Sequence, residues 1–240
     1  MHIDVLPVNH GVPAERFYGK TVAVVHVLRS VSSIIWAIKN GAEKIIPVTD
    51  PGEAVSMAAR LDIPGTVLAG EHDSKIPDGF HLDHSPAKYT RQAVLGKTII
   101  ISSQNTTLAV SNAGSAQNVI LGAMINRTAV AKRILSFGTD CVIMCAGANG
   151  EPVAEDLLCA GAIINAVMNI AQKSGIYTDE SDMAFVCRTL YRDWKTKQTD
   201  ITSAASVKEL LSRGCKDDID FCLTADLTDV VPTYANGIIR

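Results

Sequence analysis

The sequence has few aromatic residues, no apolar run of membrane length and no excess of positive charge. Phe, Trp and Tyr together make up 5% of its 240 residues, so Ile, Val, Leu and Ala must build the core. No segment reaches the ~18 unbroken apolar residues that a membrane span needs. The formal net charge is −3, whereas general binders of nucleic acid or anionic membranes carry a basic excess. We therefore expect a soluble protein with no nucleic-acid or membrane partner, although a local anion site is compatible with this composition.

Export signals and cysteine motifs are also missing. The N-terminal segment Met1–Asp4 has neither the basic nor the apolar region of a signal peptide. The six cysteines include no C-x-x-C pair, so their spacing does not match a zinc site made of cysteines. We expect reduced, buried thiols in a cytoplasmic protein.

Short apolar runs alternate with amphipathic segments of helical length along the chain. Strands are predicted at 22–28, 44–48, 66–69, 98–102, 118–121, 141–145 and 219–223. Helices are predicted at 32–40, 50–61, 127–137, 152–174, 179–195 and 206–213, and another is expected to begin at Ser85-Pro86. This order predicts an α/β fold with helices on both faces of a largely parallel or mixed sheet. No repeat or low-complexity tract divides the chain, which predicts one domain over residues 1–240.

Polar clusters follow four of the predicted strands, and ligands of such sheets bind beyond the carboxyl ends of the strands. In the first cluster, Arg29 and the hydroxyls of Ser30, Ser32 and Ser33 come after an apolar strand containing His26. A guanidinium together with the free N–H groups at a helix start forms an anion site. The alternative is that Ser30 or Ser32 only caps the helix.

The second cluster is rich in histidine. Glu71 and His72 follow a strand, and His81 and His84 come soon after, so that three histidines fall within thirteen residues. Imidazoles bind metals and move protons near pH 7. Their spacing matches no standard zinc motif, and the alternative is a solvated loop.

The third and fourth clusters contain oxygen and amide groups. Segment Ser102–Thr107 offers hydroxyls, two amides and a helix start, although ordinary turn chemistry explains it equally well. In segment Cys145–Asp156, a glycine-bearing loop leads to a helix whose first turn contains Glu155 and Asp156. Carboxylates of this kind suit Mg²⁺ completed by waters and a substrate oxyanion, or they only favour the helix dipole. The Walker, G-x-S-x-G and H-E-x-x-H motifs are absent from the sequence.

Taken in order, these clusters resemble the 2-phosphosulfolactate phosphatase family over nearly the whole chain. The resemblance is carried by Val-Leu-Arg at 27–29, Gly-Glu at 70–71, Ser85-Pro86, Asn105 with Thr107, Cys145-Ala146-Gly147, Glu155-Asp156-Leu157-Leu158-Cys159-Ala160-Gly161 and Leu210-Leu211-Ser212-Arg213-Gly214 with Asp218-Ile219 and Cys222. The resemblance implies a three-layer α/β/α fold around a mixed, largely parallel sheet. It also implies Mg²⁺-dependent hydrolysis of 2-phosphosulfolactate to sulfolactate in the coenzyme M pathway, and a homo-oligomer.

The resemblance further implies roles for individual residues around a small polyanionic substrate. Glu155 and Asp156 would hold Mg²⁺. The predicted catalytic residues are His26, His72, His84 and Ser30. The predicted substrate-binding residues are Arg29, Glu71, Ser85, Asn105 and Thr107.

The departures from the family pattern are concentrated in these same clusters. His26 stands where the family has Asp, His72 where it has Arg, and His84 where it has Asn. Thr106 replaces a Gly, and its Cβ is expected to hinder close approach of the backbone to an anion. The hypothesis is a family scaffold whose pocket has been remodelled, by engineering or by divergence, with weak or absent phosphatase activity.

Two alternatives to the family reaction follow from the histidines. In the first, one of His26, His72 and His84 activates a serine or a water, or all three bind Zn²⁺ with one position open, giving a different hydrolase. In the second, the chain binds small anions without catalysis.

Overall fold

The computed structural model describes residues 1–72 and 75–240. Strands in this part of the chain are β1 (His2–Leu6), β2 (Thr21–Val25), β3 (Lys44–Val48), β4 (Val67–Gly70), β5 (Thr98–Ser102), β6 (Asn118–Gly122), β7 (Cys141–Cys145), β8 (Asp179–Glu180), β9 (Tyr234–Ala235) and β10 (Ile238–Ile239). Its α-helices are α1 (Ser30–Lys39), α2 (Pro51–Leu61), α3 (Arg91–Val94), α4 (Gln104–Asn112), α5 (Arg127–Phe137), α6 (Ala154–Lys173), α7 (Asp182–Lys195), α8 (Ala205–Ser212) and α9 (Lys216–Leu223).

The strands form two sheets of five. The first sheet has the order β6-β2-β7-β1-β8, and all of its neighbouring strands are parallel. The second has the order β4-β5-β3-β10-β9, in which β10 runs antiparallel to both of its neighbours. Parallel neighbours point their carboxyl ends at one edge of a sheet, which is the edge where ligands of α/β proteins bind.

Helices cover both faces of the first sheet. The side chains of β2 alternate: Ala23 and Val25 pack with α5, α6 and α7, whereas Val22 and Val24 pack with α1, α4 and the second sheet. A smaller core lies between the far face of the second sheet and α2. The α/β class and its layered architecture are confirmed, and the structure divides the strands between two sheets.

The turn after β2 differs from its prediction in a way that matters for the site. The strand ends at Val25, earlier than predicted, and α1 begins at Ser30, so His26–Arg29 form a tight turn with a cis Leu28–Arg29 peptide bond. The alternative of a serine cap is wrong, because α1 has no side-chain cap and Ser32 Oγ donates to the Val27 carbonyl oxygen at 2.8 Å.

The strand predicted at 219–223 is wrong, since this segment lies in α9. Its buried residues, Asp218, Ile219 and Cys222, are spaced for one face of a helix. Periodicity in a short apolar run cannot separate a buried strand from a buried helix. The correction places Asp218 on a helix that packs against the site.

Helix α6 is long and apolar enough to cross a membrane by length and composition, but 61% of its most apolar window is buried inside the protein. It packs against α5 on one side and α7 on the other. We therefore assign it to the core of the protein.

The contact between α6 and α7 requires a glycine at 161. A Cβ built there would lie 1.9 Å from the carbonyl oxygen of Cys187, which is backbone and cannot turn aside. We expect Gly161→Ala to lower the free energy of unfolding by about 1–3 kcal/mol, because the two helices must move apart. Urea unfolding measures this loss. Gly114→Ala is the matched control, since its Cβ would meet nothing within 4 Å; an equal loss in both variants would contradict the packing account.

Candidate active site

The carboxyl ends of strands from both sheets meet at one cavity with two adjoining compartments of about 170 and 290 Å³. The compartments share six residues: His26, Leu28, Arg29, Glu71, His84 and Asn105. The first compartment extends to Ala148, Val153, Glu155, Ser206, Glu209, Leu210 and Arg213. The second extends to Thr49, His72, Ser102, Ser103, Gln104 and Asn149. All four polar clusters found in the sequence therefore contribute to one cavity.

His26 lies directly after β2 and is held by Asp156. Its Nδ1 is 3.2 Å from Asp156 Oδ2, and because a carboxylate only accepts, Nδ1 is the donor. Burial alone would lower the pKa of His26, but Asp156 and Glu155 outweigh it and raise the pKa above the ordinary value of 6.5. His26 is thus an oriented imidazole that keeps its proton to a higher pH than a free imidazole does.

Asp156 is fully buried, and both of its oxygens are occupied by the protein. Besides His26, it accepts hydrogen bonds from the backbone N–H groups of Val27, at 2.8 Å, and Gly147, at 3.2 Å. It joins the turn after β2 to the loop after β7. Asp156 lines neither compartment, so its predicted role as a magnesium ligand stays a prediction.

His84 has the opposite electrostatic character. Its Nε2 lies 3.1 Å from the carbonyl oxygen of Ser102, so Nε2 carries the hydrogen and the neutral ring keeps its lone pair on Nδ1. Burial lowers the pKa of His84 to about 4, and Arg29 adds to the effect while Glu71 opposes it. The cavity therefore contains one histidine whose pKa is raised, His26, and one whose pKa is lowered, His84.

Glu155 is the carboxylate of the first compartment that belongs to α6. It is buried and accepts a hydrogen bond from Ser206 Oγ at 2.7 Å. Burial, followed by the neighbouring Asp156, raises the pKa of Glu155. The side chain can therefore hold a proton at a higher pH than an exposed glutamate.

Arg29 is the centre of a buried ion network. It donates through one terminal nitrogen to Asp218 and through the other to Glu71. Glu71 also accepts from the His84 backbone N–H at 3.1 Å and from Arg213 at 3.0 Å. Burial would raise the pKa of Glu71, but Arg29 lowers it, so this carboxylate stays ionised. Arg29 lines the cavity as predicted, yet both of its terminal nitrogens are already engaged.

Several predicted site residues lie behind the cavity wall in the structure. Ser30 pairs its hydroxyl with that of Thr106, Ser85 donates to Asp218 at 2.6 Å, and Thr107 donates to the Val48 carbonyl oxygen at 2.8 Å. None of these side chains lines either compartment. The expected obstruction by the Thr106 side chain is not seen, since it is directed at Ser30. Asn105, at the start of α4, lines both compartments as expected.

A zinc centre of three histidines is not supported by the geometry. His26, His72 and His84 all line the second compartment. Within residues 1–72 and 75–240, however, no group of three or more His, Cys, Asp or Glu side chains is placed to hold a metal ion. Mg²⁺ is less demanding, because one carboxylate with waters and substrate oxygens suffices, and Glu155 is the residue in the first compartment that fits this need.

Sequence patterns did not reveal three of the residues that shape the site. Asp218 holds Arg29 from α9, Ser206 holds Glu155 from α8, and Arg213 reaches Glu71 from the turn between these helices. The segments that contain Arg213 and Asp218 are among those that resemble the family, but the sequence indicates no role for either residue. All three are distant in sequence from their partners, so no local spacing signals the contacts.

The fold is of the α/β class, and its cavity brings titratable and cationic side chains together at the carboxyl edge of the sheets. The chain belongs to the 2-phosphosulpholactate phosphatase family, whose family model matches residues 7–237. This is a family of phosphoric monoester hydrolases, and the resemblance found in the sequence is confirmed.

Similar proteins cover nearly the whole chain. One from Caldanaerobacter subterraneus subsp. tengcongensis is 37% identical over 222 residues, 92% of this chain and 90% of the relative. One from Clostridium novyi is 32% identical over 98% of this chain and 97% of the relative, and one from Clostridium tetani is 32% identical over the full length of both. Each is named "Probable 2-phosphosulfolactate phosphatase".

Proposed function

We propose that this protein hydrolyses the phosphate monoester of a small polyanionic 2-hydroxy acid, with 2-phosphosulfolactate as the substrate and sulfolactate and phosphate as the products. The observation that supports it best is the joining of His26, His84 and Glu155 in one cavity of a phosphatase-family fold. We also propose that this reaction belongs to the coenzyme M pathway, which the resemblance implies for the family.

The two histidines divide the proton transfers of the reaction. Water attacks the phosphorus, the bond to the ester oxygen breaks, and that oxygen needs a proton as it leaves. His26, held by Asp156 and favouring its proton, donates it from Nε2. His84, which is neutral, accepts a proton from the attacking water at Nδ1. Two groups with pKa values shifted in opposite directions are the pattern expected of an acid and a base.

Magnesium is part of the proposal through the family resemblance. Glu155 is the residue that would hold it, together with waters and substrate oxygens. When bound, Mg²⁺ offsets negative charge on the phosphoryl oxygens. EDTA is expected to lower the rate, with recovery on adding Mg²⁺ and none on adding Zn²⁺.

The first test measures phosphate release from 2-phosphosulfolactate by the parent chain and by the double variant His26→Asp, His72→Arg, which restores the family residues. We expect the parent to turn over Mg²⁺-dependently through the His26 proton donor, but more slowly than the double variant, in which the introduced carboxyl group takes over the proton transfer and the introduced guanidinium adds a contact to the anion. A parent as fast as the double variant would contradict a remodelled pocket. Turnover by neither chain would contradict the proposed reaction and favour a non-catalytic anion binder, which sulfate protection against thermal unfolding would then reveal.

A cytoplasmic location and a homo-oligomeric state are proposed alongside the reaction. The oligomer is proposed from the family resemblance, and light scattering after gel filtration measures the mass against 25.6 kDa for one chain.

A further inference from the structure

We propose that the second compartment is a subsite for the permanently charged, non-reacting group of the substrate, a sulfonate held by the hydroxyls of Ser102 and Ser103 and by the start of α4. The inference rests on the proposed function. It goes further by assigning each end of the substrate to one compartment. The phosphoryl group then lies in the first compartment.

The first observation is a pair of serine hydroxyls that have no partner. Ser102 is 2% exposed and Ser103 is 7% exposed, and both line the second compartment. Within the described residues neither hydroxyl makes a hydrogen bond. The hydroxyls of Ser30, Thr106 and Thr107, close by in the fold, are all bonded to the protein. Two adjacent hydroxyls on nearly buried residues that face the cavity, with no protein partner in the described part of the chain, are free to donate to a ligand.

The second observation is the uncapped start of α4. Ser103 is its N-cap residue, but the Ser103 side chain caps nothing. The first-turn N–H groups, from Gln104 to Thr106, lack acceptors inside the helix, and the helix dipole favours an anion there. Gln104 and Asn105 line the compartment, which places this end of the helix beside the two free hydroxyls.

The third observation is the distribution of carboxylates. Among residues 1–72 and 75–240, the first compartment contains Glu155 and Glu209, whereas the second has only the shared Glu71 in its lining. The oxygens of Glu71 are already bonded to Arg29, to Arg213 and to a backbone N–H. A sulfonate stays charged at ordinary pH and cannot escape repulsion by taking up a proton. Uncharged donors away from carboxylates therefore suit it better, while the phosphoryl group needs the acid–base groups.

The test compares two substrates in Ser103→Ala and in Ser102→Ala: 2-phosphosulfolactate, and 2-phospholactate, which lacks the sulfonate. We expect each variant to lower the ratio of their kcat/KM values by about 10-fold, the loss typical of one hydrogen bond to a charged group. Ser111→Ala, on the exposed end of α4, is the matched control and leaves the ratio unchanged. An unchanged ratio in both site variants would overturn the inference.

A binding measurement separates this inference from the proposed reaction. Calorimetric titration with 3-sulfolactate needs no turnover. Weaker binding to Ser103→Ala than to the parent supports the subsite even if neither protein hydrolyses the ester. Equal binding by parent and variant, together with normal turnover by the parent, overturns the subsite and leaves the reaction standing.

Discussion

Replacing His26 with glutamine is expected to lower kcat for phosphate release by about 10²–10⁴-fold, the usual contribution of a positioned general acid. Glutamine keeps a polar side chain of similar reach but cannot give up a proton. The imidazole is the buried group whose Nδ1 is fixed by Asp156, which directs the other ring nitrogen away from that carboxylate. Steady-state assays of the parent and the variant measure the loss.

The same residue is expected to set the alkaline limb of the pH profile. Because the proton donor must be charged, kcat/KM falls as pH rises through the pKa of His26, which lies above 6.5. The acidic limb belongs to His84, which must be neutral, so activity falls as pH drops through about 4. In His26→Gln the alkaline limb disappears while the acidic limb remains. His10→Gln, at an exposed histidine, is the control and keeps both limbs.

Asp156→Asn separates positioning from proton donation. The asparagine amide turns one acceptor into a donor beside two backbone N–H groups and the His26 ring. We expect the alkaline limb to move to lower pH, because the charge that raises the pKa of His26 is gone. A limb at the same pH in Asp156→Asn, or an unchanged kcat in His26→Gln, would show that His26 is not the proton donor.

Arg29→Met is expected to lower the free energy of unfolding by about 3–5 kcal/mol, the range for removing one partner of a buried ion pair. Arg29 is 6% exposed and neutralises Glu71 and Asp218 together. Without it, among the described residues, Glu71 in the loop after β4 keeps only Arg213 and a backbone N–H, and Asp218 on α9 keeps only the Ser85 hydroxyl, so both carboxylates lose the buried cation that they share. Urea unfolding followed by circular dichroism measures the change.

Arg16→Met is the matched control for this variant. Its pair with Asp4 lies near the surface, with the arginine side chain 43% exposed, and such pairs contribute less than about 1 kcal/mol. Similar losses in the two variants would show that the Arg29 network is no more important for stability than a surface pair. The loss of unfolding free energy in Arg29→Lys is expected to lie between those of Arg29→Met and Arg16→Met, because an ammonium cannot bind both carboxylates through a rigid fork.

Several histidines and polar residues of the site were visible in the sequence because they follow apolar strands. Strand ends from different parts of the chain meet at one edge of parallel sheets, so His26, Glu71 and Asn105 were expected to converge and they do. The start of α2 was equally predictable. Asp50 accepts from the Glu53 N–H at 2.9 Å, as its cap and proline signals indicate.

The roles of the acidic residues could not be predicted from their positions along the chain. Glu155 and Asp156 are neighbours at the start of α6, yet one lines the cavity and the other is buried beneath it holding His26. Consecutive helical residues point about 100° apart, and only packing decides which of them faces the ligand.

The sequence by itself determined the α/β class, the family and the strand ends that carry chemistry, because periodicity and local motifs are short-range properties of the chain. Only the tertiary structure decided which polar groups are free for a ligand. Arg29 looked like an anion clamp until Asp218, 189 residues away in sequence, was seen to bond it. Ser103 looked like turn chemistry until its residue was found to line the cavity, with no partner for its hydroxyl in the described part of the chain. Whether a polar group is available depends on partners that the fold brings from distant segments.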